Sequence, residues 1–300
     1  MSARDIYAKV DKRYSAAAEG VEAQYASSVA KAFGYSVEEL SAIPQDANLG
    51  LSCGNPLAMA TLREVCFPKA GETVIDLGSG AGLDVFLAAN KVGPKGRVIG
   101  VDMNEEMLKK AEELKTSSGK HNIEFVKSQI TDIDREDGIA DCIISNCVVN
   151  LVPEEEKQMV FNEMFRLLKP GGRVAISDIL AKSPLPEEVR KNMALYVGCI
   201  AGASQVGMYE KYLTEAGFHS IVIQDTGNDL SVYHHASVDD AGNDVNGQDD
   251  SDGGQETSCC AKSRLSSTQD AKIIKDVDFN RWTGRLSNIC SFATLNSFLS

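Results

Sequence analysis

The sequence predicts an α/β protein built on a doubly wound, mostly parallel sheet. From Glu72 onward, short apolar runs alternate with amphipathic stretches whose apolar residues recur every three or four positions. A glycine-rich turn, LGSGAG, directly follows the first apolar run. Strands alternating with helices imply βαβ units, and such units wind a parallel sheet with helices on both faces.

Residues 1–52 read as a mostly polar, helical extension with turns near Gly20 and Gly34. Ser36 followed by Glu39 is a capping box that opens the short helix VEELSAI before Pro44. A Gly-rich turn, GLSCGNP, precedes a helix from Leu57 to Val65 that Pro68 ends. TVIDLGSG is the first strand and its turn, and DVFLAANKVG is a helix with a glycine stop. RVIGVDM is the second strand, and Asn104 is placed to cap the helix NEEMLKKAEELKTS. IEFVKSQI and ADCIISN are the third and fourth strands. PEEEKQMVFNEMFRLLK is a long helix with negative charge at its N-terminus, where the helix dipole favours it. KPGG is a turn before the fifth strand, RVAISDIL.

PLPEEVRKNMALYVGCIAGA is expected to leave the sheet as one or two helices, and Tyr209 to Gly217 forms another. SIVIQDT and LSVYHHA are candidate further strands. Val238 to Thr257 holds seven acids and no Lys or Arg, so an acidic disordered linker is expected there. The terminal DFNRWTGRLSNICSFATLNSFLS lacks period-two alternation, so no regular last strand is expected from it. The expected division is 1–71 as a helical extension covering the site, 72–237 as the ligand-binding α/β domain, and 238–300 as linker and tail.

A net charge of −13 argues against nucleic acid as the main partner, because a phosphate-binding face needs clustered Lys and Arg. No apolar run approaches the roughly 18 residues of a membrane span. The first twenty residues lack the continuous apolar core of a secretory signal. A cytoplasmic location is therefore expected, and a monomer is the default. In a reducing cytosol the eight cysteines are not expected to form a disulfide framework, and none makes a CxxC pair. Cys142, inside a strand, and Cys66, at a helix end, read as structural. Cys290 carries no signal. His234 and His235 are adjacent on a candidate strand, where neighbours point to opposite faces, so a metal pair is not expected. The vicinal Cys259 and Cys260 sit beyond the acidic stretch and suit either binding or delivery of a thiophilic substrate or nothing.

VIDLGSGAG carries glycines at 78, 80 and 82, which let the backbone turn sharply and approach a ligand closely. Asp102 ends the second strand, 20 residues past Gly82, where it can accept from ribose hydroxyls. The spacing is not the GxGxxG of a dinucleotide fold. Asp76, in the strand end, can hold the amino group of a cationic methionine moiety. These residues, with KPGG, resemble the class I methyltransferase superfamily over about Thr73 to Gly217. That resemblance implies a Rossmann-like fold and S-adenosylmethionine as cofactor. It implies that Gly78, Gly80 and Gly82 line the cofactor, that Asp102 binds its ribose, and that Ile130 and Thr131 flank its adenine. Asp76, Met103 and Asn146 complete the expected cofactor contacts.

In open α/β sheets ligands bind beyond the carboxyl ends of the strands. Cys147 directly follows the fourth strand there, Cys53 sits in SCGNP before the sheet, and Cys199 sits in GCIAGA after it. Three segments can thus converge above the sheet. SCGNP, SNCVVNLVPEEEK, LLKPGG and GCIAGA together resemble the arsenite methyltransferases over about Gly50 to Gly217. That resemblance implies that Cys53, Cys147 and Cys199 bind trivalent arsenic as thiolates, a soft centre on soft ligands. It implies methyl transfer to arsenite or methylarsenite, giving methylated arsenicals in detoxification, with thioredoxin or glutathione as thiol reductant. No cysteine precedes Cys53, where many members of that family carry one. The alternatives on the same residues are a small-molecule or quinone-type C- or O-methyltransferase and a non-catalytic, thiol-based arsenite-binding protein.

Overall fold

The computed structural model describes residues 2–52, 54–57, 68–226 and 287–293. Seven strands form one sheet: β1 (Thr73–Leu77), β2 (Arg97–Asp102), β3 (Ile123–Lys127), β4 (Ala140–Asn146), β5 (Leu168–Asp178), β6 (Phe218–Asp225) and β7 (Ser287–Ala293). Their order is β3-β2-β1-β4-β5-β7-β6. The first five are parallel, and β7 runs antiparallel between β5 and β6. This is the doubly wound, mostly parallel α/β architecture expected. The chain order reverses direction between β1 and β4, and that switch point is where such sheets open a crevice.

The strands read as continuous apolar runs because both faces are covered. Val74, Ile75, Val98, Ile99, Ile143, Ile144, Val174 and Ile176 are all fully buried. On one face α6 (Lys157–Leu167) and α9 (Val206–Ala216) pack through Phe161, Met164, Tyr209 and Leu213. On the other face α4 (Leu83–Val92) packs through Val85, Phe86, Ala88 and Val92. α5 (Glu105–Ser118) starts where Asn104 accepts from Met107 N at 2.9 Å, the cap anticipated from sequence.

The amino-terminal extension forms α1 (Ala3–Ala18), α2 (Ala23–Ala32) and α3 (Val37–Ser41). The Ser36–Glu39 capping box opens α3, with both reciprocal hydrogen bonds present. α1 and α2 bury Ile6, Val10, Tyr25, Val29 and Phe33. They pack against the segment after β5, which carries α7 (Glu187–Arg190) and α8 (Met193–Val197). Burial of each such large side chain contributes about 1.5–3 kcal/mol, enough to hold short helices that would not persist alone.

Two expectations are corrected. Ser287–Ala293 is a strand, pairing Ile289 with both Ile176 and Ile223, so the carboxyl-terminal segment does complete the sheet. KPGG does not precede β5. β5 pairs Leu168 with Ala140 and then Arg173 with Cys142, and the glycine turn is a bulge within the strand. The expected helix from Leu57 to Val65, the strand LSVYHHA and the acidic linker lie largely or wholly outside the described residues, as do Cys66, Cys259 and Cys260. Among the described residues no helix is long and apolar enough to cross a membrane.

Candidate active site

The carboxyl ends of β1, β2 and β4 open into a cleft of about 1060 Å3, counting the part open to solvent. Its floor is the turn after β1. Gly78 N–H and Ser79 N–H both donate to Val101 O, at 2.8 and 3.0 Å. Gly78, Gly80 and Gly82 have φ of 71°, 52° and 98°, in the left-handed region that a side chain disfavours. Gly78 is also required sterically, since a Cβ there would lie 2.4 Å from Val148 Cγ2. Gly82 serves a different purpose. It is the N-cap of α4, packed against Phe86 and Phe125, and it does not line the cleft.

Asp102, at the end of β2, is oriented by two backbone donors. Gly80 N donates to its Oδ2 and Asn104 N to its Oδ1, both at 2.8 Å. Burial pushes its pKa up, and these hydrogen bonds oppose that rise. Asp76 is buried at the end of β1 and its pKa is raised well above the ordinary value, by burial first and then by the charges of Asp84 and Asp102. Asp84 is pushed up to about 6 by burial, against hydrogen bonds from Asn146 and Tyr35. The cleft is therefore a buried, acidic surface with no Lys or Arg among the described residues of its wall. A cationic ligand would stabilise its carboxylates.

Asn146 closes β4. Its Nδ2 donates to Gly54 O at 2.8 Å and to Asp84 Oδ2 at 3.0 Å. Its Oδ1, like Ser79 Oγ, is buried and meets no hydrogen-bond partner among the described residues. Both residues line the cleft, so these two polar atoms could bond a ligand there. Met103 and Ile130 are on the wall beside Ser128 and Gln129, whereas Thr131 is buried but not on it.

Cys147 follows β4 directly and lines the cleft. Its N–H donates to Ser177 O at 2.8 Å. Cys199 follows α8 and is not on the cleft wall, yet its Sγ donates to Cys147 O at 2.9 Å. Both cysteines are 3% exposed, and both have positive φ, 57° and 64°. Non-glycine residues hold such values only where surrounding contacts fix them. Cys147 is disulfide-bonded, and neither Cys142 nor Cys199 is in a disulfide. Cys53 lies outside the described residues. Among the described residues no group of three or more His, Cys, Asp or Glu is placed to hold a metal ion. Cys142 is fully buried among the apolar side chains of the α4 face, and burial pushes its thiol up to about 12, as expected of a core residue.

Several wall residues carried no sequence signal. Tyr7, Val10 and Tyr14 come from α1, and Leu49, Leu51 and Ser52 from the loop before the sheet. Nothing local marks them, because they reach the cleft only through the packing of the extension. Asp84 could have been noticed as an acid in the first turn after a glycine loop, but that position is equally that of an ordinary helix-start carboxylate.

An arsenite methyltransferase of Halobacterium salinarum is 47% identical over 190 residues, 63% of this chain and 46% of that protein. The human arsenite methyltransferase is 38% identical over 140 residues, 43% of this chain and 36% of that protein. The chain thus spans less than half the length of these curated relatives. Among solved structures, an arsenic(III) S-adenosylmethionine methyltransferase from Chlamydomonas reinhardtii superposes with a TM-score of 0.53 at 23% identity, covering 90% of this chain and 74% of that one, a likeness of fold. Residues 68–217, half of the 300-residue chain, match the methyltransferase domain family, and the chain belongs to that family.

Proposed function

We propose that this chain transfers methyl groups from S-adenosylmethionine to trivalent arsenic held by the thiolates of Cys53, Cys147 and Cys199. The observation that carries the reading is the contact between the Cys199 thiol and the Cys147 backbone, 2.9 Å, at the wall of an acidic cleft. Two thiol-bearing segments distant in sequence meet there, with Cys147 on the cleft wall and Cys199 in contact with its backbone.

S-adenosylmethionine, when bound, supplies an electrophilic methyl group on a cationic sulfonium. Gly78, Gly80 and Asp102 would hold its ribose side, Ile130 and Met103 its adenine, and Asp76 its amino group. The buried acids and the unpartnered Ser79 Oγ and Asn146 Oδ1 support that fit. The thiolates bind arsenic through soft–soft bonds and leave its lone pair to form the new As–C bond. No general base is required, so the protein acts by placing reactants in contact and excluding water. The transferred methyl leaves its electron pair on the donor sulfur, and arsenic goes formally from +3 to +5. A dithiol such as thioredoxin, or glutathione, must return two electrons before another round. That requirement fits a reducing, cytoplasmic setting.

The test is product speciation. Reduced wild-type protein and Cys147→Ser are incubated with arsenite, S-adenosylmethionine and thiol, and methylated arsenic is quantified. Methylarsenicals from the wild type alone are expected. Cofactor binding without any methylated arsenic would overturn the substrate and direct attention to organic acceptors such as quinones.

A further inference from the structure

The Cys199 thiol acts as a hydrogen-bond donor, its Sγ donating to Cys147 O at 2.9 Å. Binding arsenic removes that proton. Each thiol that displaces an arsenic hydroxyl forms one As–S bond and releases one water, which carries the thiol hydrogen away. A ligated sulfur is an acceptor only, and so is a carbonyl oxygen. The contact between Cys199 Sγ and Cys147 O therefore turns from favourable to repulsive on ligation, and the sulfur must find a donor instead. Tyr14 carries one. Its Oη lies 4.0 Å from Cys199 Sγ, a long O–H···S contact. Tyr14 is half-buried and lines the cleft, whereas Cys199 is not on the cleft wall. A shift of the sulfur from Cys147 O toward Tyr14 Oη thus brings it to a residue of that wall. α1 is tied down beside this tyrosine. Asn104 Nδ2 donates to Ser15 Oγ at 2.7 Å and, one turn earlier on the helix, to Asp11 Oδ1 at 2.8 Å.

We propose that Tyr14 is a positioning residue: when Cys199 gives up its proton to bind trivalent arsenic, its sulfur exchanges Cys147 O for Tyr14 Oη, and the phenol holds the ligated sulfur at the cleft. This rests on the function proposed above. The role belongs to the hydroxyl. The ring packs against two apolar clusters, one holding Val10 and Cys199 and the other Ala17 and Met107, and a phenylalanine keeps that packing. A hydrogen bond to a sulfur that carries negative charge is stronger than one between neutral groups, so its loss is felt when arsenic is bound and much less when the site is empty.

The experiment titrates methylarsonous acid into the reduced full chain and compares wild type, Tyr14→Phe and Cys199→Ser. This arsenical has two exchangeable hydroxyls and takes two thiolates, so it reads the Cys147 and Cys199 pair directly. Affinity is measured together with the near-ultraviolet sulfur-to-arsenic charge-transfer band, taken as the bound-minus-free difference. A donor on the ligated sulfur stabilises its lone pair and moves that band to shorter wavelength. Tyr14→Phe is expected to weaken binding about fivefold or more and to move the band to longer wavelength, while the ligand-free variant still melts cooperatively. Weaker binding with an unmoved band would show a merely structural role and overturn the proposal, as would unchanged affinity. Loss of binding in Cys199→Ser beside an unaffected Tyr14→Phe sinks this inference alone. Undiminished binding in Cys199→Ser sinks the thiolate reading and this inference with it. Should Tyr14→Phe not fold, the wild type carries the test: its tyrosine absorption must shift to the red on binding, as a phenol does when it donates to a more basic acceptor, and a spectrum without that shift overturns the proposal.

Discussion

Tyr35 Oη donates to Asp84 Oδ1 at 2.8 Å, joining the amino-terminal extension to the first turn of α4 across 49 residues of chain. Asn146 Nδ2 meets the same pair, at 2.9 Å from Tyr35 Oη and 3.0 Å from Asp84 Oδ2. The three side chains tie the extension, the glycine turn and the end of β4 into one polar unit. A carboxyl buried in such a unit is sensitive both to ligand charge and to pH.

Cofactor affinity should therefore fall in acid. Asp84 has a pKa near 6 and Asp76 one well above the ordinary carboxylate value, both chiefly through burial. A cationic ligand binds the ionised forms, so binding releases protons wherever these groups are protonated in the free protein. Affinity should rise with pH through about 6 and fall by about tenfold per pH unit per released proton below it. The folding contribution has the opposite sense. Folded-state values above the unfolded ones give stability that is fully present in acid and lost as pH rises through the folded pKa. Calorimetry at pH 6 in buffers of different ionisation enthalpy reads the released protons directly. Tyr35→Phe removes a hydrogen bond that lowers the Asp84 pKa, so it should move the midpoint upward. An unchanged proton count across pH 5 to 8 would contradict this account.

The glycines of the turn should not be equivalent. Alanine at either 78 or 80 must adopt a left-handed φ, at about 1–2 kcal/mol. At 80 the added Cβ meets nothing nearer than Met107 Sδ at 4.0 Å, whereas at 78 it strikes Val148 at 2.4 and 2.6 Å. Gly78→Ala must therefore displace the residue next to Cys147. Urea unfolding of the ligand-free protein should show a clearly larger loss for Gly78→Ala than for Gly80→Ala, with Val148→Ala partly restoring the former. Equal losses would mean that the packing of Val148 against the turn is not what demands a glycine there.

Much of the fold was legible because its signals are local. The Ser36–Glu39 box, the Asn104 cap and the glycine turn each concern residues a few positions apart, and each forms as read. Cys147 stood out because it follows a strand on the ligand-binding edge of the sheet. What was not legible depends on partners far away in sequence. The Tyr35–Asp84–Asn146 unit spans 111 residues, from Tyr35 to Asn146. Cys199 meets Cys147 across 52 residues of chain, and the bonds from Asn150 to Cys199 O and from Lys157 to Gly202 O join segments that no local pattern connects. The strand Ser287–Ala293 escaped notice because it lacks local alternation and is specified by antiparallel pairing with β5 and β6, partners far earlier in the chain.

Asn104 gives a last prediction, because it serves three elements at once. Its Oδ1 accepts from Met107 N and caps α5, and its backbone N–H orients Asp102. Its Nδ2 donates to Asp11 Oδ1 at 2.8 Å and to Ser15 Oγ at 2.7 Å, both on α1. The cap alone is worth about 0.5–2 kcal/mol. Asn104→Ala should lower stability by that order and also loosen α1, whose Tyr7, Val10 and Tyr14 line the cleft. Asn104→Asp keeps the capping oxygen but places a carboxylate against Asp11, so it should preserve α5 while still releasing α1. Hydrogen exchange separates the effects: in Asn104→Ala both α5's first turn and α1 should lose protection, and in Asn104→Asp only α1. Protection of α1 unchanged in both variants would show that apolar packing of Ile6 and Val10, not Asn104, keeps this helix over the cleft.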